Sequence, residues 1–314
     1  MTTGRFAPSP SGRMHVGNLL TSLLAWLSAK KHGGRVILRI EDLDTRRCAA
    51  EYARQLQDDL LWLGLTWDEG PLIGGPHGPY EQSKRTALYA SAMERLRAQG
   101  LVYPCFCTRA ELHAADAPHR SDGQTVYAGT CRNLTPEEVA ERSRVRSPAY
   151  RLRVPPEEIA VRDGHMGLYA ERLQRDCGDF LLRRSDGLYA YQLAVVVDDA
   201  AMGVTEVVRG SDLLSSAPRQ LLLYRLLGLT PPTFYHAPLL LAADGRRLSK
   251  RDHDLNLSVL RGRYPPEAIV GKLAFLAGFH PTSEPVSVAD LLPAFDWSAV
   301  PTEDITLPGD LFRI

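Results

Sequence analysis

Several groups of residues in this chain have types and spacings that could do chemistry. The first is Gly4-Arg5-Phe6-Ala7-Pro8-Ser9-Pro10-Ser11-Gly12-Arg13-Met14-His15-Val16-Gly17-Asn18. Leu19, Leu20, Leu23, Leu24 and Leu27 follow at helical spacing, so a short strand, a proline-stiffened loop and a helix succeed one another. A helix N-terminus offers unpaired N–H groups and a partial positive charge, and Gly12 and Gly17 let another molecule approach the backbone. Such a place can hold a phosphate chain. It is neither a Walker loop nor a GxGxxG turn, and taken alone it could be only a turn before a helix.

Two charged residues stand at the ends of apolar runs. Val36 to Ile40 reads as a buried strand ending in Glu41, and Val204 to Val208 as another ending in Arg209. Ligands of open parallel sheets sit beyond the carboxyl ends of strands. Glu41 there could meet a substrate ammonium, or it could cap the next helix. Arg209 suits a carboxylate, which a guanidinium grips with two parallel bonds. Cys105, Cys107 and Cys131 form a further group. Clustered cysteines argue for Zn²⁺ in a closed tetrahedral site, with His113 and His119 as chemically suitable fourth ligands, or for three reduced thiols without metal. Cys48 and Cys177 are assigned no chemistry. Arg246-Arg247-Leu248-Ser249-Lys250-Arg251-Asp252 is a basic loop that in isolation reads as ordinary surface.

These residues need elements to position them. Helices are expected over about Cys48 to Leu63, over Gln82 to Gln99 with Leu88, Ala92 and Leu96 inward, over Ser216 to Leu227, and over Glu267 to Ala277. Thr135-Pro136-Glu137-Glu138 is a capping box with proline at the first helical position. Arg142, Arg144, Arg146, Arg151 and Arg153 follow it, either a face for a nucleic-acid backbone or a solvated surface. Gly178 to Gly187 reads as hairpin-like. The apolar run Leu188 to Asp199 reads as a parallel strand buried on both faces or a short buried helix. Pro238 to Leu241 reads as a strand, and Pro71 to Pro79 as too broken for regular structure.

A chain of 314 residues that is 44% hydrophobic can bury a sizeable core. Charges balance at 37 against 37, so any nucleic acid must be met by local basic patches. No run approaches the roughly 20 apolar residues of a membrane span, and no signal peptide precedes the first strand. A soluble cytoplasmic protein is expected.

Three of these stretches carry a resemblance. Pro8 to Asn18 is similar to the first ATP-binding signature of class I aminoacyl-tRNA synthetases in its glutamyl form, with His15-Val-Gly17-Asn18 where His-Ile-Gly-His is usual. Arg246 to Asp252 resembles the second signature, the Lys-Met-Ser-Lys-Ser loop, in the correct order. Cys105-x-Cys107 and Tyr127-x-x-x-Cys131 match the family's zinc spacing, in which the tyrosine is the fourth ligand. The implied fold is α/β: a Rossmann-type class I synthetase catalytic domain in two halves (1–103 and 178–256), a zinc-containing insertion (104–177), and a short helical C-terminal extension (257–314), with no anticodon-binding domain. The implied roles are catalysis by His15 and Lys250, and ATP binding by Pro8, His15, Gly17, Asn18 and Lys250. L-glutamate binding falls to Arg5, Ala7, Ser9, Glu41, Tyr191 and Arg209. One structural Zn²⁺ falls to Cys105, Cys107, Tyr127 and Cys131, and Mg²⁺ accompanies ATP.

One departure narrows the resemblance. The family usually carries Asn four residues after the substrate-binding tyrosine, where this chain has Val195. A lost amide should weaken or reshape amino-acid recognition. With the short chain, Val195 resembles a truncated branch that activates glutamate without tRNA and attaches it to the queuosine base of tRNA(Asp). Two rivals stand: a minimal glutamyl-tRNA synthetase charging the 3′ end, and a non-catalytic tRNA-binding paralogue. Val195 and the absent domain count against the first, intact His15 and Lys250 against the second. The expected partners are queuosine-containing tRNA(Asp) and L-glutamate, and the expected state is a monomer.

Overall fold

The computed structural model describes residues 1–112, 126–248, 255–309 and 311–312. Four short strands form its centre. Thr3–Phe6 pairs in parallel with Arg35–Leu38, and Glu206–Gly210 in parallel with Thr233–Ala237. The two pairs meet where the Thr205 N–H donates to the Thr3 carbonyl at 2.9 Å and the Arg5 guanidinium reaches the Val208 carbonyl at 2.9 Å. Val36, Ile37, Leu38, Val207 and Val208 are all buried, which is what makes β-branched and leucine-rich segments settle as central strands.

The helix Val16–Lys31 packs across this sheet with Leu19, Leu20, Leu23, Leu24 and Leu27 buried. Residues beyond 255 join the same core: Leu257, Ile269, Leu273, Phe279, Leu291 and Phe295 cluster with that helix. A second core surrounds the helix Tyr191–Ala201, built with Thr86–Ala98 and Ser216–Leu226. The antiparallel hairpin of Glu158–Asp163 and Gly167–Arg172 docks here through Ile159 and Val161. A third, small cluster holds Tyr103, Cys105, Phe106, Tyr127 and Cys131.

Several local expectations need correction. Of the two readings of the run from Leu188, the structure has the buried helix, beginning at Tyr191. Leu193 to Asp199 are buried on every side, so no polar stripe betrays the helical period. Leu88 is exposed, and the inward stripe is Tyr89, Ala92, Met93 and Leu96. The helix expected from Gln82 opens as a separate 3₁₀ turn, Gln82–Lys84, and the α-helix starts at Thr86. The main strand near Pro238 lies earlier, at Thr233–Ala237, with only Leu240–Leu241 inside the expected span. The capping box is present as expected: Thr135 Oγ1 accepts from the Glu138 N–H, and Glu138 accepts from the Thr135 N–H at 2.8 Å. Among the described residues, no helix is long and apolar enough to cross a membrane.

Candidate active site

A cleft of about 630 Å³ opens at the carboxyl ends of the parallel strands. Arg5, Ala7, Pro8, Ser9, His15, Gly17, Asn18, Glu41, Tyr191 and Arg209 all line it. Five separate elements deliver them, and the sequence places them up to 204 positions apart (Arg5 to Arg209). Lys250 lies outside the described residues, as do His113 and His119.

At one end, His15 is the N-cap of the helix Val16–Lys31. Its Nδ1 accepts from the Gly17 N–H at 3.2 Å, and its own N–H donates to Asn18 Oδ1 at 3.2 Å. The first signature is therefore also a capping box, in which the unusual Asn18 is the reciprocal acceptor. A side chain at position 17 would come within 3.1 Å of the His15 ring, which explains the glycine. Nδ1 is thereby engaged in the cap, at the positive end of the helix. The second basic loop begins at the same place. Arg247 and Leu248 line the cleft, and the Leu257 N–H donates to the Met14 carbonyl at 3.0 Å. Both flanks of residues 249–254 thus abut the first signature.

The other end is built from buried charge. Arg209 is 4% exposed. Its Nε donates to His236 Nε2 at 2.9 Å and its Nη1 to Gln220 Oε1 at 2.8 Å, while Nη2 has no hydrogen-bond partner among the described residues. Among the same residues no carboxylate lies within ion-pair distance of it. Arg5 is buried beside it, 3.7 Å from Asp199. Burial holds the Arg5 guanidinium below its ordinary pKa, against the pull of Asp199. Glu41 accepts from Arg39 Nη2 at 3.0 Å, yet burial keeps its carboxyl above the usual range. Burial likewise raises the Tyr191 phenol, which stays protonated and able to donate. Two cationic groups, one carboxylate and one phenol therefore converge on a desolvated pocket. That set fits a small zwitterion with an additional carboxylate.

Sequence reasoning missed the layer beneath. Arg39 meets Asp199 at 2.6 Å, and Asp198 accepts from Arg85, Gln82 and Tyr89 at 2.6, 2.8 and 2.8 Å. A charged residue inside an apolar run was the one available signal, carried by Asp198 and Asp199.

The cysteine group assembles away from the cleft. The Cys105, Cys107 and Cys131 sulfurs lie within 4.8 Å of one another, and the Tyr127 hydroxyl is 3.5 Å from Cys105 and 4.0 Å from Cys107. Thiolates on a tetrahedral zinc stand about 3.8 Å apart, so the donor set fits the ion. Burial opposes ionisation at Cys105, but bonds from Tyr127 and Arg151 hold its thiol below the ordinary value. Burial and the charge of Cys105 push Cys107 up to about 12. The arginines expected as one face divide. No residue of the helix Pro136–Val145 is buried, so Arg142 and Arg144 stand on its open surface. Arg151 is buried, donating to Cys105 at 3.2 Å and stacked 3.7 Å above the Tyr127 ring.

Comparison with known proteins gives the family. Residues 1–297 match the family of tRNA synthetases class I (E and Q), catalytic domain. The chain is 52% identical to a protein of Symbiobacterium thermophilum named glutamyl-Q tRNA(Asp) synthetase, with 99% of this chain and 97% of that protein covered. It is 45% identical to glutamate--tRNA ligase 1 of Halorhodospira halophila, covering 98% of this chain and 65% of that protein. A crystal structure of a glutamate tRNA ligase from Elizabethkingia meningosepticum, in complex with its amino acid, superposes with a TM-score of 0.85 at 29% identity, covering 99% of this chain and 68% of that one.

Proposed function

Because the chain belongs to the class I glutamyl and glutaminyl tRNA synthetase family and is a ligase of that class, we propose that it activates L-glutamate with ATP and transfers it to the queuosine base of tRNA(Asp). The observation that carries the amino-acid half is Arg209: a buried guanidinium on the cleft wall, held by neutral acceptors, with a buried Nη2 that has no hydrogen-bond partner among the described residues. Such a group is a receptor for the side-chain carboxylate. In this reading Arg5 meets the second carboxylate, Glu41 the ammonium, and Tyr191 donates beside them. Ala7 and Ser9 line the same cleft.

ATP lies along Pro8, His15, Gly17 and Asn18 with its phosphates at the helix N-terminus. Mg²⁺ enters with it as part of the substrate. A carboxylate oxygen of glutamate forms a bond to the α-phosphorus, the bond from that phosphorus to the bridging oxygen breaks, and pyrophosphate leaves with the electron pair. Alignment and charge stabilisation supply the rate, with Lys250 countering charge on the phosphates. The 104–177 insertion holds one structural zinc on Cys105, Cys107, Cys131 and Tyr127. Elemental analysis should find about one zinc per chain, and Cys131→Ser should lose it while glutamate binding persists.

The relatives named glutamyl-Q tRNA(Asp) synthetase are matched over nearly their whole length, which favours the queuosine acceptor. The 45% identity to a glutamate--tRNA ligase keeps ordinary 3′-end charging as the second reading. Glutamate-dependent ATP–pyrophosphate exchange tests the first step; its absence overturns the activity. Labelled glutamate offered to tRNA with and without queuosine tests the second. Label on the queuosine pool alone supports the proposal, and equal labelling means 3′-end charging.

A further inference from the structure

We propose that Asp163 and His236 are positioning residues that aim the Arg209 guanidinium at the substrate's side-chain carboxylate while leaving its charge unspent. The inference rests on the reading of Arg209 given above.

Asp163 stands at the end of the Glu158–Asp163 strand, 73 positions before His236. The hairpin that carries it docks against the edge of the central sheet. The Gly164 N–H donates to the Phe234 carbonyl at 2.7 Å, and any side chain at 164 would strike the Tyr235 ring. Asp163 Oδ1 accepts from the His165, Met166 and His236 N–H groups at 3.0, 2.8 and 3.2 Å, so the carboxylate is fixed by backbone. Oδ2 then lies 2.5 Å from His236 Nδ1. A carboxylate can only accept, so Nδ1 carries the proton. Nε2 is left as an acceptor, and it receives Arg209 Nε–H at 2.9 Å.

The arrangement has one workable protonation state. Arg209 cannot give up its proton, so Nε is always a donor. A doubly protonated or Nε2-protonated imidazole would set donor against donor inside the core. Burial first, and then the Arg209 charge, hold His236 below its ordinary value against the pull of Asp163, so the neutral ring persists. On the other edge, Gln220 Oε1 takes Nη1, and Gln220 is itself oriented by donating to Gln192 Oε1 at 3.0 Å. Two neutral acceptors thereby fix the guanidinium plane. The negative charge of Asp163 sits one imidazole ring behind it. A carboxylate at position 236 would orient Arg209 equally well but would compete with the substrate.

Asp163→Asn is the test, because it keeps size and the Oδ1 contacts while placing an NH₂ against Nδ1. The ring must then protonate at Nε2, opposite Arg209. In glutamate-dependent ATP–pyrophosphate exchange, KM for glutamate should rise roughly ten- to a hundredfold while KM for ATP stays within about twofold. In a His236→Gln background the side chain has no tautomer to set, so Asp163→Asn should add less than about threefold. Should Asp163→Asn fold poorly, His236→Leu against His236→Gln gives the same discrimination, since only glutamine supplies an acceptor. An unchanged glutamate KM, or glutamate and ATP KM values rising together, overturns the positioning role. Absence of glutamate-dependent exchange in the unmodified protein overturns the reading of the site itself.

Discussion

Two sets of buried arginines lie at and beneath the cleft, and they are satisfied in opposite ways. Beneath the cleft, Arg39 and Arg85 each meet a carboxylate at 2.6 Å, on Asp199 and Asp198. At the cleft wall, Arg209 meets an imidazole and an amide. All three guanidiniums are almost wholly removed from solvent. Burying an ion costs several kcal/mol, which the floor offsets with opposite charge and the wall offsets with neutral hydrogen bonds only. A guanidinium closed by carboxylates is finished and belongs to the fold. One closed by neutral acceptors still seeks an anion and belongs to the substrate.

The largest effects should come from breaking the floor. Asp198→Ala strips Arg85, Gln82 and Tyr89 of their shared acceptor. Removing one partner of a buried pair costs about 3–5 kcal/mol, so the denaturant midpoint should fall steeply. A loss under about 1 kcal/mol would erase the distinction drawn above. Arg209→Met is the matched experiment at the wall. It removes an uncompensated charge and replaces it with an apolar chain of similar length, so stability should hold or rise. Glutamate KM should climb by roughly 10²- to 10³-fold, with ATP binding kept. A destabilised Arg209→Met with normal glutamate KM would move Arg209 into the structural class.

Glu41 sits between the two classes and sharpens the comparison. It is paired to Arg39 at 3.0 Å yet faces the cleft. Burial raises its folded pKa, despite Arg39 and Arg5. The folded state therefore holds the proton more tightly than the unfolded chain. That contribution is present below the unfolded value and is lost as pH rises through the folded value. Glu41→Gln keeps an acceptor for Arg39 and abolishes this loss. Its melting temperature relative to the unmodified protein should be higher at pH 7 than at pH 4, while glutamate KM rises about tenfold. Parallel melting profiles would show that Glu41 is satisfied by the floor alone.

What was legible in the sequence divides along the same line. Arg5 was reached only through the family resemblance, whereas Glu41 and Arg209 could be found because they end short apolar strands, and strand ends face ligands in parallel sheets. Their supports could not. Asp198 and Arg85 are 113 positions apart, and nothing local marks either as the other's partner. Asp163 stood in a segment read as belonging with the cysteines, whereas its hairpin packs against the sheet and supports Arg209 through His236. The helix from Tyr191 was ambiguous because burial all round removes the amphipathic period that separates helix from strand. Leu88 was assigned inward on an i, i+4 row, and the break at Arg85 between the 3₁₀ turn and the helix hid that the buried row runs through Tyr89 and Met93. Short motifs with their own chemistry are visible to inspection; charge partners brought together by topology are not.

The smallest effect expected is a pH dependence specific to the wall. His236 faces Asp163 from the docked hairpin and Arg209 from the adjacent strand, and it is held below its ordinary pKa by burial and by that arginine. An unfolded histidine titrates near 6.5. Between that value and the lower folded one, the unfolded chain binds the extra proton. Stability from this residue is therefore full above about pH 6.5 and is lost as pH falls through the folded value. Asp163, held below its ordinary value by His236 and backbone N–H groups despite burial, acts in the same direction but at lower pH, beneath 3.8. Melting temperatures of the unmodified protein and His236→Gln, taken from pH 7.5 down to 5, isolate the histidine, because the glutamine cannot titrate and every other histidine is common to both. The unmodified protein should lose more stability across that range. Curves that stay parallel would mean that His236 accepts a proton as readily folded as unfolded. The wall would then tolerate a cation beside Arg209, and the contrast with the floor would fail at its most sensitive point.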